Sequence, residues 1–328
     1  MLPTPLRLVL LGLVGAASAA APARRAGLPL AADGRPAASA LGLNIHNPAP
    51  TEATLEAMGE AGLGWLRGFG VAWPALEPKP GQYNFSQYAA IIERLGAHGH
   101  RIVTGPSGFP SFYEASWHAP ATQAAFGRLM AALAARFEGH QVLWELTNEP
   151  NLNGWAGWDA AHAHRGNASG MGWFFRDVCG AMHKASPASL CVGPSTGFIG
   201  PGYKTLAWMQ EFFETGALEE VDALLVHPYR CDGPETAIAD MRALRTLAAE
   251  YTPVGREIPL YQGEWGYSSG AGATPLITVE QHAKLVARIF LVSMLVSDPM
   301  SILYTWQVWP QDLAHAEIFA CAHPSSRS

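Results

Sequence analysis

Short apolar runs alternate with longer amphipathic segments from residue 39 onward, and this alternation restricts the fold more than any other feature. Each amphipathic segment spaces its apolar residues by three and four, as a helix does. Each apolar run has the length and flanking turn residues of a strand. The pattern predicts seven helices separating eight strands, at 40–46, 64–71, 101–107, 142–148, 190–195, 223–229, 259–265 and 301–308.

Nearly all-apolar strands joined by helical crossovers indicate parallel pairing with both faces of the sheet covered. Eight such units fit a (β/α)8 TIM barrel, whose usual size is roughly 250 residues. A doubly wound open sheet is the alternative, but it normally carries a glycine-rich phosphate-binding turn after its first strand. Here the first strand continues into Asn44-Ile45-His46-Asn47-Pro48. We therefore predict a catalytic barrel over residues 39–328.

The N-terminus resembles an export signal. One arginine precedes an apolar run from Leu8 to Ala16, followed by the small residues Ala17-Ser18-Ala19. This pattern predicts a signal peptide at 1–19 and a secreted or periplasmic protein. The run is too short for a mature membrane span. Residues 20–38 are rich in Ala, Pro, Gly and Arg without periodicity, which predicts a flexible leader.

Composition excludes several partners. The net charge is −6 and the chain has no run of Lys or Arg, which argues against nucleic acid and anionic membranes as partners. We expect a monomer. The chain has eleven Trp residues, which suit a surface that stacks on sugars but also fill ordinary cores.

Four cysteines in an exported chain allow three disulfide pairings. Cys179 and Cys191 flank a helix end and the next strand start, so they form the favoured bridge; the others are Cys231 and Cys321. No Cys/His spacing suggests zinc, and the loop pair His162 and His164 has no third ligand in spacing. We expect no metal site and no cofactor.

Polar or aromatic side chains finish most of the predicted strands. In a barrel these strand ends meet at the carboxyl-terminal mouth, where catalytic residues lie. Any one of them is more often structural, but together they indicate a site. The residues are Asn44, His46, Arg67, Ser107, Asn148, Glu149, His227, Tyr229, Glu264 and Trp306.

Glu149 and Glu264 stand at the ends of the fourth and seventh strands, across the mouth from one another. A single glutamate at a strand end is usually a surface acid. A facing pair matches glycoside hydrolysis, in which one carboxyl protonates the leaving oxygen and the other attacks the sugar or activates water.

The segments TNEPN (147–151) and GEWGYSS (263–269) resemble the clan A retaining glycoside hydrolases, chiefly the cellulase-like family 5, with some features of family 39. The resemblance implies that Glu149 is the acid/base and Glu264 the nucleophile. It also implies that Asn148 binds the sugar 2-hydroxyl. Arg67 would keep the nucleophile ionised, because a nearby cation lowers a carboxyl pKa.

The resemblance extends to the sixth and eighth strands. His227 and Tyr229, in VHPY, match a pair that lines such sites, and Tyr229 would hydrogen-bond the nucleophile. Trp306 resembles a tryptophan that floors the sugar subsite. The structural alternatives are a histidine that caps a strand and a core aromatic.

Three further residues are candidates for substrate contact. His46 follows the first strand, and Trp155 and Trp158 lie in the long loop after the fourth. The two tryptophans would stack on sugar rings or else pack within their own loop.

Two features depart from the resemblance. The third strand ends in Thr104-Gly105-Pro106-Ser107, without the histidine that cellulase-like members often carry there, which weakens a specific cellulase assignment. The tail at 310–328 has few apolar residues and no convincing amphipathic helix. The eighth helix is therefore predicted to be incomplete, leaving the outer layer open beside strands one and eight.

The sequence thus predicts a retaining glycosidase that cleaves a β-linked poly- or oligosaccharide by double displacement, with its two carboxyl groups about 5–5.5 Å apart. A non-catalytic carbohydrate-binding barrel and a transglycosylase using the same residues are the alternatives. The sugar, its linkage and the endo or exo mode stay open.

Overall fold

The computed structural model describes residues 40–45, 50–68, 70–117, 119–152, 167–200, 204–267, 277–296 and 300–305. Strands and helices alternate through these ranges. The strands are β1 (Leu41–Ile45), β2 (Trp65–Gly68), β3 (Arg101–Thr104), β4 (Val142–Glu145), β5 (Leu190–Val192), β6 (Thr196–Gly197), β7 (Leu224–His227), β8 (Leu260–Trp265) and β9 (Ser301–Leu303). The helices are α1 (Glu52–Glu60), α2 (Trp73–Leu76), α3 (Ser86–Ala97), α4 (Pro120–Arg136), α5 (Ala168–Ala185), α6 (Thr205–Glu214), α7 (Ala237–Tyr251) and α8 (Val279–Leu295).

All strand pairs in the sheet are parallel, in the order β5-β4-β3-β2-β1-β9-β8-β7-β6. Its two end segments, β5 and β6, are separated in the chain only by residues 193–195. Val192 also forms a parallel bridge to Ala223, and the Gly193 N–H donates to the Ala223 carbonyl at 3.1 Å. The sheet therefore curls round on itself, and the predicted barrel fold is confirmed.

The predicted fifth strand, 190–195, is corrected to two short segments. Gly193 and Ser195 both have positive φ, 145° and 56°, which is incompatible with a continuous strand. The chain therefore bends between β5 and β6, and β6 resumes pairing with β7. The short helix α2 was also not predicted; four residues are too few to show helical periodicity.

Side chains of each strand alternate between two apolar layers. Trp65, Leu143 and Leu225 belong to a small cluster inside the barrel, whereas their neighbours Leu66, Trp144 and Val226 pack in the larger cluster under the helices. Because strand side chains repeat every two residues, the inner face continues to Arg67, Glu145 and His227 at the carboxyl ends of β2, β4 and β7. A layer of buried apolar side chains inside the barrel therefore lies next to these three polar side chains.

Three of the eight helices in the described ranges begin at a residue whose side chain caps the helix. Thr51 caps α1, Asn167 caps α5, and Thr278 with Gln281 forms a reciprocal capping box at the start of α8. The helices bury their apolar faces against the sheet, and α4 and α5 also pack against each other. All seven predicted crossover helices are present.

The favoured disulfide is confirmed. Cys179, in α5, is bonded to Cys191, in β5, with a Cα–Cα distance of 5.5 Å. Cys231 is disulfide-bonded as well. The first bond joins a helix to the strand that follows it, so it holds β5 against the outer layer.

The predictions for residues 1–38 and for the tail at 310–328 lie outside the described residues. Within the described part, α8 exposes Leu291, Met294 and Leu295, with 63%, 54% and 62% of each residue accessible. None of the helices in the ranges given above combines the length and apolar character that crossing a membrane requires.

Candidate active site

Six of the predicted site residues converge at the carboxyl-terminal mouth of the barrel. Each lies within β2, β7 or β8, or in the residues that follow β4 or β7, and each hydrogen-bonds at least one other member of the group. They are Arg67, Asn148, Glu149, His227, Tyr229 and Glu264.

The two glutamates face each other at short range. Oxygen atoms of Glu149 and Glu264 and a ring nitrogen of His227 all lie within 4.8 Å of one another. His227 Nδ1 is 2.8 Å from Glu149 Oε1 and 3.7 Å from Glu264 Oε2. Carboxyl pairs about 5–5.5 Å apart are typical of retaining glycosidases, and inverting enzymes need about 6.5–9.5 Å. Carboxyl oxygens within 4.8 Å of each other are closer to the retaining arrangement than to the inverting one.

Glu264 is held as a carboxylate. Burial alone would raise its pKa, but His227, Arg67 and the hydrogen bonds from Arg67 and Tyr229 lower the pKa below its ordinary value. Arg67 donates from Nη1 to Oε1, and the Tyr229 hydroxyl donates to Oε2 at 3.0 Å. An ionised carboxylate with its oxygens oriented by two donors is suited to act as a nucleophile.

Tyr229 stays protonated. Burial first, and then the negative charges of Glu264 and Glu149, raise its pKa well above the ordinary value. The hydroxyl therefore remains a hydrogen-bond donor to Glu264 throughout the physiological pH range.

Glu149 has a different environment. Its side chain is 19% exposed, its backbone has φ 48°, and its N–H donates to the Ser195 carbonyl at 2.8 Å. The Nε2 atom of His227 is buried and has no hydrogen-bond partner among the described residues, which favours a proton on Nδ1 that is donated to Glu149. Glu149 is therefore partly open to solvent and has an imidazole as its side-chain partner, whereas Glu264 is held by a guanidinium and a phenol.

Arg67 links several of these groups and is 6% exposed. Its Nε and Nη2 donate to the two oxygens of Glu145, each at 2.8 Å. Its Nη1 donates to Glu264 and, at 3.0 Å, to Asn44 Oδ1, and Nη2 also donates to Asn148. Burial alone would lower the Arg67 pKa, but Glu145 and Glu264 raise it, so the guanidinium keeps its charge.

Glu145 is the main residue that the sequence analysis missed. It sits inside the apolar run VLWEL, two residues before Thr147, and was treated as part of that strand. A carboxyl in a strand buried on both faces needs a charged partner, and that rule could have singled it out. Asn44 was noted as a strand-end residue but was assigned no role.

Glu149, His227 and Glu264 also have the spacing of a three-ligand cation site. The Glu264 oxygens already accept from Arg67 and Tyr229, and the guanidinium would repel a metal ion beside it. The donor set therefore suits a neutral sugar and a transferred proton better than a metal.

The four remaining predicted residues, His46, Trp155, Trp158 and Trp306, lie outside the described residues, so their contribution to substrate binding stays a prediction.

Comparison with known sequences gives a partial match. A family model described as beta-galactosidase, glycoside hydrolase family 42, matches residues 47–117, which is less than half of the chain. No curated protein sequence matches this chain.

Solved structures match over most of the chain. A family 39 glycoside hydrolase from Bacteroides cellulosilyticus WH2 superposes with a TM-score of 0.65 at 18% identity, covering 84% of this chain and 59% of the other. A monomeric beta-xylosidase from Caulobacter crescentus CB15 gives 0.60 at 17% identity, covering 81% and 60%. Xylanase 10B from Thermotoga maritima gives 0.53 at 13% identity, covering 81% and 82%.

These matches establish the barrel fold. The chain spans about three fifths of the length of the first two enzymes. The chain is thus similar to a beta-galactosidase family model over residues 47–117 and shares its barrel fold with several glycoside hydrolases.

Proposed function

We propose that this protein is a retaining β-glycosidase in which Glu264 is the nucleophile and Glu149 the general acid/base. The observation that carries the proposal is the asymmetry of two carboxyls whose oxygens lie within 4.8 Å. Arg67 and Tyr229 donate to Glu264, whereas Glu149 contacts His227 and is the more exposed of the two, at 19% against 13%. Two carboxyls in different environments suit two different roles.

The first step forms a covalent intermediate. A Glu264 oxygen attacks the anomeric carbon, the bond to the leaving oxygen breaks, and Glu149 transfers its proton to that oxygen. Asn148, held by Arg67, is placed to contact the sugar hydroxyl beside the reacting carbon. Arg67 and Tyr229 fix the attacking oxygens, so little reorganisation accompanies bond formation.

The second step reverses the roles. Glu149, now a carboxylate, accepts a proton from a water molecule, whose oxygen attacks the anomeric carbon. The bond to Glu264 breaks and its carboxylate is restored. Two inversions at the same carbon give a product with the original β configuration. A sugar hydroxyl in place of the water would give transglycosylation with the same residues.

The substrate is proposed only as a β-linked oligo- or polysaccharide. The matched structures include a beta-xylosidase, a xylanase and an exo-beta-1,4-mannosidase, so they favour no single sugar.

Export is also a proposal. The signal-like residues 1–19 support it, as does the Cys179–Cys191 disulfide, since such bonds persist mainly in oxidising compartments.

The test is hydrolysis of 4-nitrophenyl β-glycosides of xylose, glucose, galactose and mannose, followed by proton NMR of the first sugar released. We expect at least one substrate to be cleaved and the β anomer to appear first. Early appearance of the α anomer would show inversion and overturn the mechanism. Sugar binding without turnover of any substrate, with defined β-linked oligosaccharides included, would indicate the non-catalytic barrel instead.

A further inference from the structure

A third carboxylate lies beneath the pair. The Glu145 side chain is only 9% exposed, at the carboxyl end of β4, and it contacts neither of the two reacting glutamates by a hydrogen bond among those described. Its two oxygens accept from Arg67 in the paired, fork-to-fork arrangement that fixes a guanidinium in one plane.

This pairing decides where the rest of Arg67 points. Nε and Nη2 are turned toward Glu145, which leaves Nη1 directed at Glu264 and Asn44. A guanidinium held at only one oxygen could rotate about its side-chain bonds, and its contact with Glu264 would then vary. The contact with Glu264 therefore depends on Glu145.

Ser195 connects Glu145 to Glu149, the second carboxyl of the pair. Its hydroxyl donates to Glu145 Oε1, and its backbone carbonyl accepts the Glu149 N–H at 2.8 Å. The residue is fully buried, in the bend between β5 and β6, with φ 56°. Ser195 thus contacts the backbone of Glu149. It also contacts the side chain of Glu145, which holds the arginine bound to Glu264.

We propose that Glu145 and Ser195 are positioning residues that set the separation of the Glu149 and Glu264 carboxyls. The connection runs from Glu264 through Arg67, Glu145 and Ser195 to the Glu149 backbone. This inference rests on the proposed function, because it assigns a purpose to the spacing that a retaining mechanism requires.

The charge of Glu145 has a separate effect. Arg67 is shared between two carboxylates, so Glu145 moderates the positive field that Glu264 experiences. Among the described residues, the charged and titratable groups that face Glu264 are Arg67 from β2, Glu149 after β4, His227 at the end of β7 and Tyr229 just after it. Removing the Glu145 charge leaves the Arg67 charge less neutralised, and the Glu264 pKa then falls further.

The experiment compares Glu145→Gln, Glu145→Asp and Ser195→Gly with a matched control, Glu77→Gln. Glu77 is also a buried carboxylate, 1% exposed, but it accepts from Trp73, Gly81 and Tyr113 and has no contact with Arg67 among the described residues. The probe is the aryl β-glycoside that the wild-type protein cleaves best, and the readouts are kcat, KM and the acidic limb of the pH profile.

For Glu145→Gln we expect kcat to fall roughly 10- to 100-fold, KM to change little, and the acidic limb to move to lower pH. Glu145→Asp keeps the charge but is shorter, so kcat should fall while the acidic limb stays in place. Ser195→Gly suits the positive φ and removes the hydroxymethyl group that donates to Glu145, so kcat should fall about 10-fold. The control should lose stability and keep the wild-type kcat and acidic limb.

Wild-type kcat and an unmoved acidic limb in Glu145→Gln would overturn the proposal, as would wild-type kcat in Ser195→Gly. If Glu145→Gln does not fold, the other two variants decide.

A carbon-13 NMR titration of the Glu264 carboxyl, assigned with Glu264→Gln, needs no substrate. If the wild type cleaves nothing, the proposed function fails, whereas the positioning inference fails only if this titration is the same in the wild type and in Glu145→Gln.

Discussion

The barrel buries charged side chains at both of its ends, and the two groups use their hydrogen bonds differently. The mouth network consists of Arg67, Glu145, Asn148, Glu149, Ser195, His227, Tyr229 and Glu264. The base cluster, at the amino ends of β5, β7 and β8, consists of His183, Glu220, Asp222 and Arg256. Both are built around acidic groups paired with a histidine and an arginine.

In the base cluster the bonds join one structural element to the next. His183, in α5, contacts Glu220 at 3.0 Å through Nδ1 and Asp222 at 2.8 Å through Nε2. Asp222 also accepts the Cys191 N–H at 2.8 Å. Arg256 donates to the carbonyls of residues 218, 219 and 221 at 2.7–2.9 Å. This arrangement fastens α5 and β5 to the segment before β7.

In the mouth network two carboxyls instead face each other across a gap, and two non-glycine residues, Glu149 and Ser195, have positive φ. Like charges at short range and left-handed backbone both cost stability. A protein retains such features where activity needs them. Under the proposed function, the difference between the two ends separates groups placed for chemistry from groups placed for folding.

The largest expected effect follows from Glu264→Gln. The amide cannot attack the anomeric carbon, so kcat should fall by about 10⁴-fold or more. Thermal unfolding should change far less, because Arg67 keeps its paired contact with Glu145. Steady-state kinetics would measure kcat, and calorimetry would measure thermal stability. A large loss of stability with much of the turnover retained would contradict the distinction between the mouth network and the base cluster.

Glu149→Ala should separate substrates by leaving group. General acid catalysis is worth about 10²–10⁴-fold where the leaving oxygen needs a proton, so turnover of an alkyl β-glycoside should fall by about 10³-fold. A 2,4-dinitrophenyl glycoside, whose leaving group needs no proton, should form the intermediate at nearly the wild-type rate. Added azide should then yield a β-glycosyl azide. Equal losses on both substrates, with no rescue by azide, would contradict the acid/base role.

His183→Ala tests the base cluster. Removing the imidazole leaves Glu220 and Asp222 without their shared partner, and the free energy of unfolding should fall by about 2 kcal/mol. The value of kcat at 25 °C should stay at the wild-type level, since the cluster lies at the opposite end of the barrel from the glutamate pair. Chemical denaturation measures the first quantity. A change in kcat without a change in stability would show that the base cluster serves the reaction.

Tyr229→Phe should give the smallest effect and sharpen the account of the mouth network. The hydroxyl stabilises ionised Glu264, so its loss raises the Glu264 pKa, and the acidic limb of the kcat/KM profile moves to higher pH. The lost hydrogen bond is worth about 1 kcal/mol. An acidic limb that moves to lower pH would mean that Tyr229 does not favour the carboxylate.

The sequence predicted the fold and the meeting of Glu149 and Glu264 at one mouth because both depend on local patterns. The crossover helices show their periodicity, and the residues after β4 and at the end of β8 gather at one mouth by the rule of parallel barrels. The Arg67–Glu145 pairing joins residues 78 apart, and no local pattern encodes it. The bend at Ser195 escaped prediction because Gly193-Pro194-Ser195 could equally have ended a continuous strand.

Gly197, in β6, has ordinary negative-φ backbone, yet a Cβ atom there would lie 2.8 Å from Glu149 Oε1. An alanine would therefore displace the Glu149 carboxyl group and the Leu152 Cδ1 methyl, which lies at the same 2.8 Å; all three nearest atoms belong to side chains and none to the main chain. In a saturation library, selection for folded protein should retain alanine at position 197, and selection for growth on the sugar should remove it. The disagreement between the two selections would identify this glycine as a position that the reaction constrains more than folding does.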